Sequence, residues 1–312
     1  MKNSDHKLIS VVTPLYNEEE VISQFYDRLI KVLSKVNYNY ELILVDDGSS
    51  DKTLNILENI ANNDKNVKII SFSRNFGHMM ALSAGLDYSK GDAVITIDSD
   101  LQHPPELIPK LLQKWEEGNE IVNTLRIEAK TTNIFKKLSA RFFYFLMNRI
   151  ANTNFQVNSA DYRLLDRVVV ENIKSMKEHS RFLRGLINWV GYKQDSISYQ
   201  ADRRQAGKTK YSFWRMFSFA IDGITSFSSF PLRLSTYLGL IIAFFSFIYI
   251  LRTIYIKLIG QAAVGWASVL TTVLFMGGVQ LIFLGVIGEY LARVYEETKE
   301  RPLYIVKKKI GF

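Results

Sequence analysis

Cysteine is absent from the 312 residues, which excludes disulfide staples, thiolate metal sites and cysteine nucleophiles, and suits a reducing compartment. Proline is scarce at six, glycine numbers 17, and 47% of residues are hydrophobic, so the composition is that of an ordered chain rather than a disordered one. The four histidines, His6, His78, His103 and His179, lack the spacing of a metal-ligand set. His103 stands beside an acidic motif; the other three read as surface or packing residues. No apolar leader with a cleavage site precedes the first strand pattern, which predicts that the start of the chain stays in the cytosol.

The charge that is present is unevenly placed. Residues 1–126 carry 13 Lys and Arg against 19 Asp and Glu, net −6, whereas 127–312 carry 26 against 12, net +14. The basic half is interleaved with long apolar runs, so it predicts an anionic lipid surface as partner and no nucleic acid.

Short β-branched runs at Leu8–Thr13, Glu41–Val45, Val67–Phe72, Ala93–Ile97 and Glu120–Thr124 alternate with helical spacing over Glu18–Val36, Lys52–Asn62, Gly77–Ser89 and Pro105–Trp115. Repeated βα units predict an α/β fold with a mostly parallel sheet, whose ligands gather at the strand carboxyl ends. Beyond residue 130 the texture changes. Two aromatic-rich amphipathic stretches, about 133–152 and 211–230, predict interfacial helices, although the first fits a core helix equally well. Leu234–Leu251 and Val264–Ile287 contain no charged residue. They predict two membrane spans, about 234–258 and 264–289, forming a hairpin within 234–291. An even number of spans puts both termini on one side. Lys307, Lys308 and Lys309 in a basic tail, 292–312, make that side cytoplasmic.

The candidate chemistry sits where strands end. Asp98-Ser99-Asp100 follows the fourth helical-strand repeat's Ala93–Ile97, where two carboxylates can face a divalent cation holding a diphosphate; taken alone, the same residues fit a solvated acidic turn. Asp46-Asp47-Gly48-Ser49 ends the second strand. A turn with an N-cap at Asp51 explains Gly48 and Ser49, but not a pair of acids at the ligand edge, where a carboxylate could accept from a ribose or a base.

These motifs combine with Val12-Thr13-Pro14-Leu15-Tyr16-Asn17-Glu18, Ser73-Arg74-Asn75-Phe76-Gly77, Gln102-His103-Pro104-Pro105-Glu106, Asp161-Tyr162-Arg163-Leu164, Gly207-Lys208-Thr209-Lys210-Tyr211, Gly288-Glu289-Tyr290-Leu291 and Glu300-Arg301-Pro302-Leu303-Tyr304. Together they span nearly the whole chain and resemble glycosyltransferase family 2, in particular its polyprenyl-phosphate sugar transferases. The resemblance implies a GT-A type, Rossmann-like nucleotide-sugar-binding domain. Its nucleotide-sugar half would be 1–130 and its acceptor half 131–230. Pro14, Tyr16, Glu18 and Asp46 would line the nucleotide pocket, and Asp98, Asp100 and Gln102 would hold Mg²⁺ or Mn²⁺. Arg126, Arg163, Arg203, Arg204, Lys208 and Lys210 are the expected diphosphate and acceptor ligands, with Lys136 and Lys137 at the lipid head group. Asp161 is the candidate base or orienting residue.

The implied reaction is inverting transfer of one sugar, from UDP-glucose first and UDP-N-acetylglucosamine second, to polyprenyl phosphate for cell-envelope glycosylation. A downstream flippase, an acceptor-side glycosyltransferase and self-association are the expected partners. A processive polysaccharide synthase and a non-catalytic, membrane-anchored assembly subunit are the rival readings. Two spans and no Gln-x-x-Arg-Trp motif weigh against the first, and the intact acids against the second.

Overall fold

A computed structural model describes residues 7–127, 159–179, 181–200, 230–259 and 265–312. The chain divides into two compact units, one of Met1–Phe217 with Arg301–Phe312, the other Ser218–Glu300.

The first unit is built on strands β1 (Leu8–Leu15), β2 (Asn39–Asp46), β3 (Val67–Phe72), β4 (Ala93–Thr96), β5 (Ile121–Ile127), β6 (Ser159–Asp166), β7 (Gln194–Gln200) and β8 (Val306–Ile310). They form one sheet in the order β7-β5-β6-β4-β1-β2-β3-β8. β1 is parallel to β2 and β4, β2 to β3, and β5 to β7, whereas β6 runs antiparallel between β4 and β5, and β8 antiparallel along β3. The five strands expected from the sequence are present; β6, β7 and β8 join them, and the antiparallel β6 and β8 make the sheet mixed. β1, β2 and β4 are buried almost throughout, as strands covered on both faces must be, and their near-continuous apolar runs reflect it.

Helices α1 (Ile22–Leu33), α2 (Thr53–Asn63), α3 (His78–Tyr88) and α4 (Ile108–Glu116) connect the strands. α1 buries Ile22, Phe25, Leu29, Val32 and Leu33, one face of a 3.6-residue repeat. α3 instead packs small residues: a Cβ on Gly85 would lie 2.0 Å from Val12 Cγ1, so glycine is what lets this helix approach β1. After β6 come α5 (Arg167–Ser175), N-capped by Asp166 through the Val168 N–H, and α6 (Leu183–Trp189).

The chain moves outward from β1 to β3 on one side and restarts at β4 on the other. The carboxyl ends of β1 and β4 therefore form a topological switch point, where an open α/β sheet leaves a crevice for ligands. β6 enters this crevice backwards. Its pairing of Arg163 with Thr96 brings Asp161 beside the end of β4, although Asp161 and Asp98 are 63 positions apart in the sequence.

The second unit consists of α7 (Phe230–Leu258) and α8 (Trp266–Thr298), which contact each other. Both are long and apolar enough to cross a membrane, and their large apolar side chains, Phe244, Phe245, Leu274 and Phe275 among them, are exposed. α8 outlasts the span expected to end near 289, because Glu289 and Arg293 pair at 3.1 Å one turn apart and carry the helix on with charged residues. The stretch read as a basic tail differs most: five of its residues are strand β8, paired to the sheet of the first unit.

Candidate functional site

The loops after β1 and β2 are stitched together. Asn17, with φ +54°, donates its N–H to Ser49 Oγ at 3.0 Å, while its Oδ1 accepts from the Ser50 N–H at 2.9 Å. The Glu18 N–H donates to Thr53 Oγ1 at 2.9 Å. This cross-linking holds Tyr16 at the crevice, where the residue is 42% exposed, whereas Pro14 is buried in β1 opposite Val45.

The two acids at the end of β2 have different tasks. Asp46 is buried and accepts from the Ser49 N–H at 3.1 Å and from Ser71 Oγ at 2.8 Å. Asp47 accepts from the Phe76 and Gly77 N–H groups at 2.7 and 2.9 Å. Burial nevertheless holds the Asp47 carboxyl above its ordinary value, the two amides only partly compensating. Asp47 thus supports the 73–77 loop, an assignment neither the turn nor the ribose reading of the sequence contained.

At the end of β4, Asp98 Oδ1 accepts from His78 Nε2 at 2.8 Å, and Oδ2 faces His103 Nδ1 at 3.5 Å. Burial pushes the Asp98 carboxyl up, but the hydrogen bond and the charge of His78 outweigh it and hold the group below its ordinary value. The same pair raises His78: burial opposes its protonation, and the Asp98 hydrogen bond with the charges of Asp98 and Asp161 prevails. Leu101 takes φ +58°, a costly conformation for a branched residue, and turns the chain so that Asp100 Oδ1 accepts the Gln102 N–H at 3.1 Å. Gln102 Oε1 in turn accepts from Arg126 Nη1 at 3.3 Å, which brings the end of β5 to the acidic turn.

Opposite lies Asp161, gripped by both arms of Arg184, Nε to Oδ1 at 2.8 Å and Nη2 to Oδ2 at 2.7 Å. Arg163 Nη2 adds a contact at 3.4 Å. Burial would raise the Asp161 carboxyl; the Arg184 charge and hydrogen bonds, then Arg163, reverse this and hold it far below the usual carboxylate range. Arg163 is 2% exposed, and its Nη2 also donates to the Ala160 carbonyl at 2.7 Å. Desolvation pulls its guanidinium down to about 10 despite Asp161. Arg163 therefore stands beneath Asp161, out of contact with solvent.

The donor set permits a test for a divalent cation. Asp98, Asp100 and Gln102 offer hard oxygens, the ligands that Mg²⁺ and Mn²⁺ take. Among the described residues no three His, Cys, Asp or Glu side chains converge to hold a metal. One or two carboxylates completed by substrate phosphates is how Mg²⁺ is commonly bound, so the residues fit a site shared with a diphosphate.

The structure thus gathers Tyr16, Glu18, Asp46, Asp98, Asp100, Gln102, Arg126 and Asp161 around the ends of β1, β2, β4, β5 and β6. Lys136, Lys137, Arg203, Arg204, Lys208 and Lys210 lie outside the described residues, as do the expected helix over 133–152 and all but Phe230 of that over 211–230. Two residues of the site were not anticipated. His78 follows the Ser73–Gly77 motif directly, and that adjacency was its only signal. Arg184 had none, since nothing near it in sequence marks it as the partner of Asp161.

Comparison with known proteins agrees with this geometry. Residues 10–174 match the description "Glycosyl transferase family 2", and residues 230–294 match "GtrB C-terminal hairpin". The chain is 45% identical over 309 residues to an uncharacterized glycosyltransferase of Bacillus subtilis, covering 99% of this chain and 96% of that protein. It is 45% identical over 304 residues to a prophage bactoprenol glucosyl transferase homolog of Escherichia coli, covering 96% and 98%. A bactoprenol glucosyl transferase of Shigella phage SfX is 44% identical over 303 residues, with the same coverage.

Proposed function

Since this chain belongs to glycosyltransferase family 2 and also contains a hairpin of two apolar helices, we propose that it transfers glucose from UDP-glucose to a polyprenyl phosphate. The observation that carries the reading is the likeness to bactoprenol glucosyl transferases over 96% of the chain, hairpin included, which no soluble acceptor would require. UDP-N-acetylglucosamine is the second candidate donor.

In this reading Tyr16, Glu18 and Asp46 face the nucleotide, and Arg126 meets the diphosphate through charge-assisted hydrogen bonds. Asp98 and Asp100, with Gln102, would hold a divalent cation, whose contribution is to neutralise charge on the leaving diphosphate. The acceptor phosphate oxygen forms a bond to the anomeric carbon from one side as the bond to the nucleoside diphosphate breaks on the other, so configuration inverts. A phosphate monoester with a second pKa near 6 is already ionised at neutral pH, so no proton needs removing. Asp161 fits that chemistry as an orienting anion. Its carboxyl, held strongly acidic by Arg184, accepts protons poorly.

An isoprenoid acceptor stays in its bilayer, so the enzyme must work at the surface. The basic residues Lys307, Lys308 and Lys309 favour a cytoplasmic position for both termini. The glucosylated lipid would then need a flippase and an acceptor-side glycosyltransferase to use it.

The test incubates membranes containing the protein with labelled nucleotide-sugars and polyprenyl phosphate, then counts label in the organic phase. UDP-glucose is expected to label the lipid, and Asp98→Ala to abolish the signal. No lipid-linked label from any donor, or an Asp98→Ala variant as active as the wild type, overturns the proposal.

A further inference from the structure

The 73–77 loop is held from three directions. The Ser73 N–H donates to the Ile305 carbonyl at 3.0 Å, and Tyr304 stacks on Phe72 with centroids 5.0 Å apart. The Phe76 and Gly77 amides are fixed by Asp47. The Arg74 backbone passes so close to Gly48 that a Cβ there would lie 2.4 Å from the Arg74 carbonyl carbon. A loop tied this firmly delivers the next residue, His78, to one place, and there Nε2 meets Asp98 Oδ1 at 2.8 Å.

The hydrogen bond divides the labour of the Asp98 carboxylate. With Nε2 as donor, Oδ1 is occupied. Oδ2 faces His103 Nδ1 at 3.5 Å, but that nitrogen also accepts the Asp98 N–H at 3.4 Å, and in that tautomer it has no proton for Oδ2. One oxygen is thereby clamped and the other left for a ligand, the arrangement by which an outer hydrogen bond orients a metal-binding group.

We propose that His78 is a positioning residue of the donor site, fixing the Asp98 carboxylate through Oδ1 so that Oδ2 is presented to a cation shared with the nucleotide diphosphate. The inference rests on the donor-site reading above and adds a residue from a different segment to it. His78 touches neither sugar nor diphosphate; it acts through Asp98. Its side chain is 44% exposed, so its replacement removes a hydrogen bond without opening a core cavity.

The test measures Mn²⁺ binding to the full-length protein in detergent with saturating UDP and no acceptor, following free Mn²⁺ by electron paramagnetic resonance. Wild type, His78→Ala, His78→Gln and Asp98→Ala are compared, with thermal unfolding recorded for each. His78→Ala is expected to weaken Mn²⁺ affinity about 10-fold or more, the usual range for losing an outer hydrogen bond. His78→Gln, which keeps an N–H donor near Nε2, is expected to recover most of it, with melting temperatures unchanged. If His78→Ala binds Mn²⁺ like the wild type while Asp98→Ala does not, His78 does not position the site and the inference falls alone. If His78→Gln stays as weak as His78→Ala, a hydrogen-bond role is likewise overturned. If the wild type binds no Mn²⁺ with UDP, or Asp98→Ala binds it normally, the donor-site reading falls and takes this inference with it.

Discussion

Asp161 is a carboxylate whose neighbours have removed its basicity and given it direction. The bidentate Arg184 grip supplies both, since a planar fork matches both oxygens at once. Arg184→Ala is expected to cost about 1–3 kcal/mol of stability, less than for a fully buried pair because the guanidinium is 38% exposed. Arg184→Lys, which keeps charge but loses the fork, should restore stability only in part and leave turnover depressed. Urea unfolding and initial rates check both. If Asp161 orients and does not take a proton, Asp161→Asn lowers the rate by a similar factor across pH 6–9. Loss of a titrating limb from the pH–rate profile would instead show proton transfer. Asp98 was legible in the sequence because it directly follows a strand-like run, and Asp161 only through the family resemblance. Their partners were not, because Arg184 and His78 lie 23 and 20 positions away from them along the chain.

Two connections show how elements, more than single contacts, shape the crevice. Gly48 takes φ +68° directly beneath the Arg74 backbone, so a side chain meets both strain and a clash with atoms that cannot swing aside. Gly48→Ala should lower the melting temperature by about 4–8 °C, the size expected for roughly 2 kcal/mol in a domain of this length, and weaken nucleotide binding with it. Glu41 ties three strands and a loop: it accepts from Ser10 Oγ, the Lys90 N–H and Lys68 Nζ, the last at 2.6 Å. Burial pushes its carboxyl up, and the hydrogen bonds from Lys68, Ser10 and Lys90 more than offset this, leaving it below its ordinary value. The stability it contributes is present above its unfolded value, near 4.5, and is lost as pH falls toward the lower folded value. Glu41→Gln should therefore be less stable than the wild type at pH 7, with the difference shrinking as pH drops below about 4.5; a constant difference from pH 7 to 3 would contradict this.

In the molecule as a whole, the hairpin is an insertion and not an appendage, since the catalytic unit resumes after it at Arg301. β8 covers the edge of β3, Tyr304 donates to Asp87 Oδ2 at 2.8 Å, and Lys308 pairs with Glu58 at 2.7 Å. A chain ended after Arg301 should melt at least about 5 °C lower and scatter more light on warming, because it bares an apolar sheet edge. A chain cut before the hairpin incurs the same loss, and adding back 301–312 should reduce it. By itself the sequence determined the βα repeats, the acids at the ends of β2 and β4 and the two apolar helices. Each is written in local periodicity or in unbroken hydrophobic length, and short-range order is enough to read it. Only the tertiary structure decided that β6 enters the sheet backwards to set Asp161 near Asp98, that His78 and Arg184 hold those acids, and that the basic tail is a strand. Those outcomes depend on which strand lies beside which, a choice made by packing among segments tens to hundreds of residues apart and recorded in none of them alone.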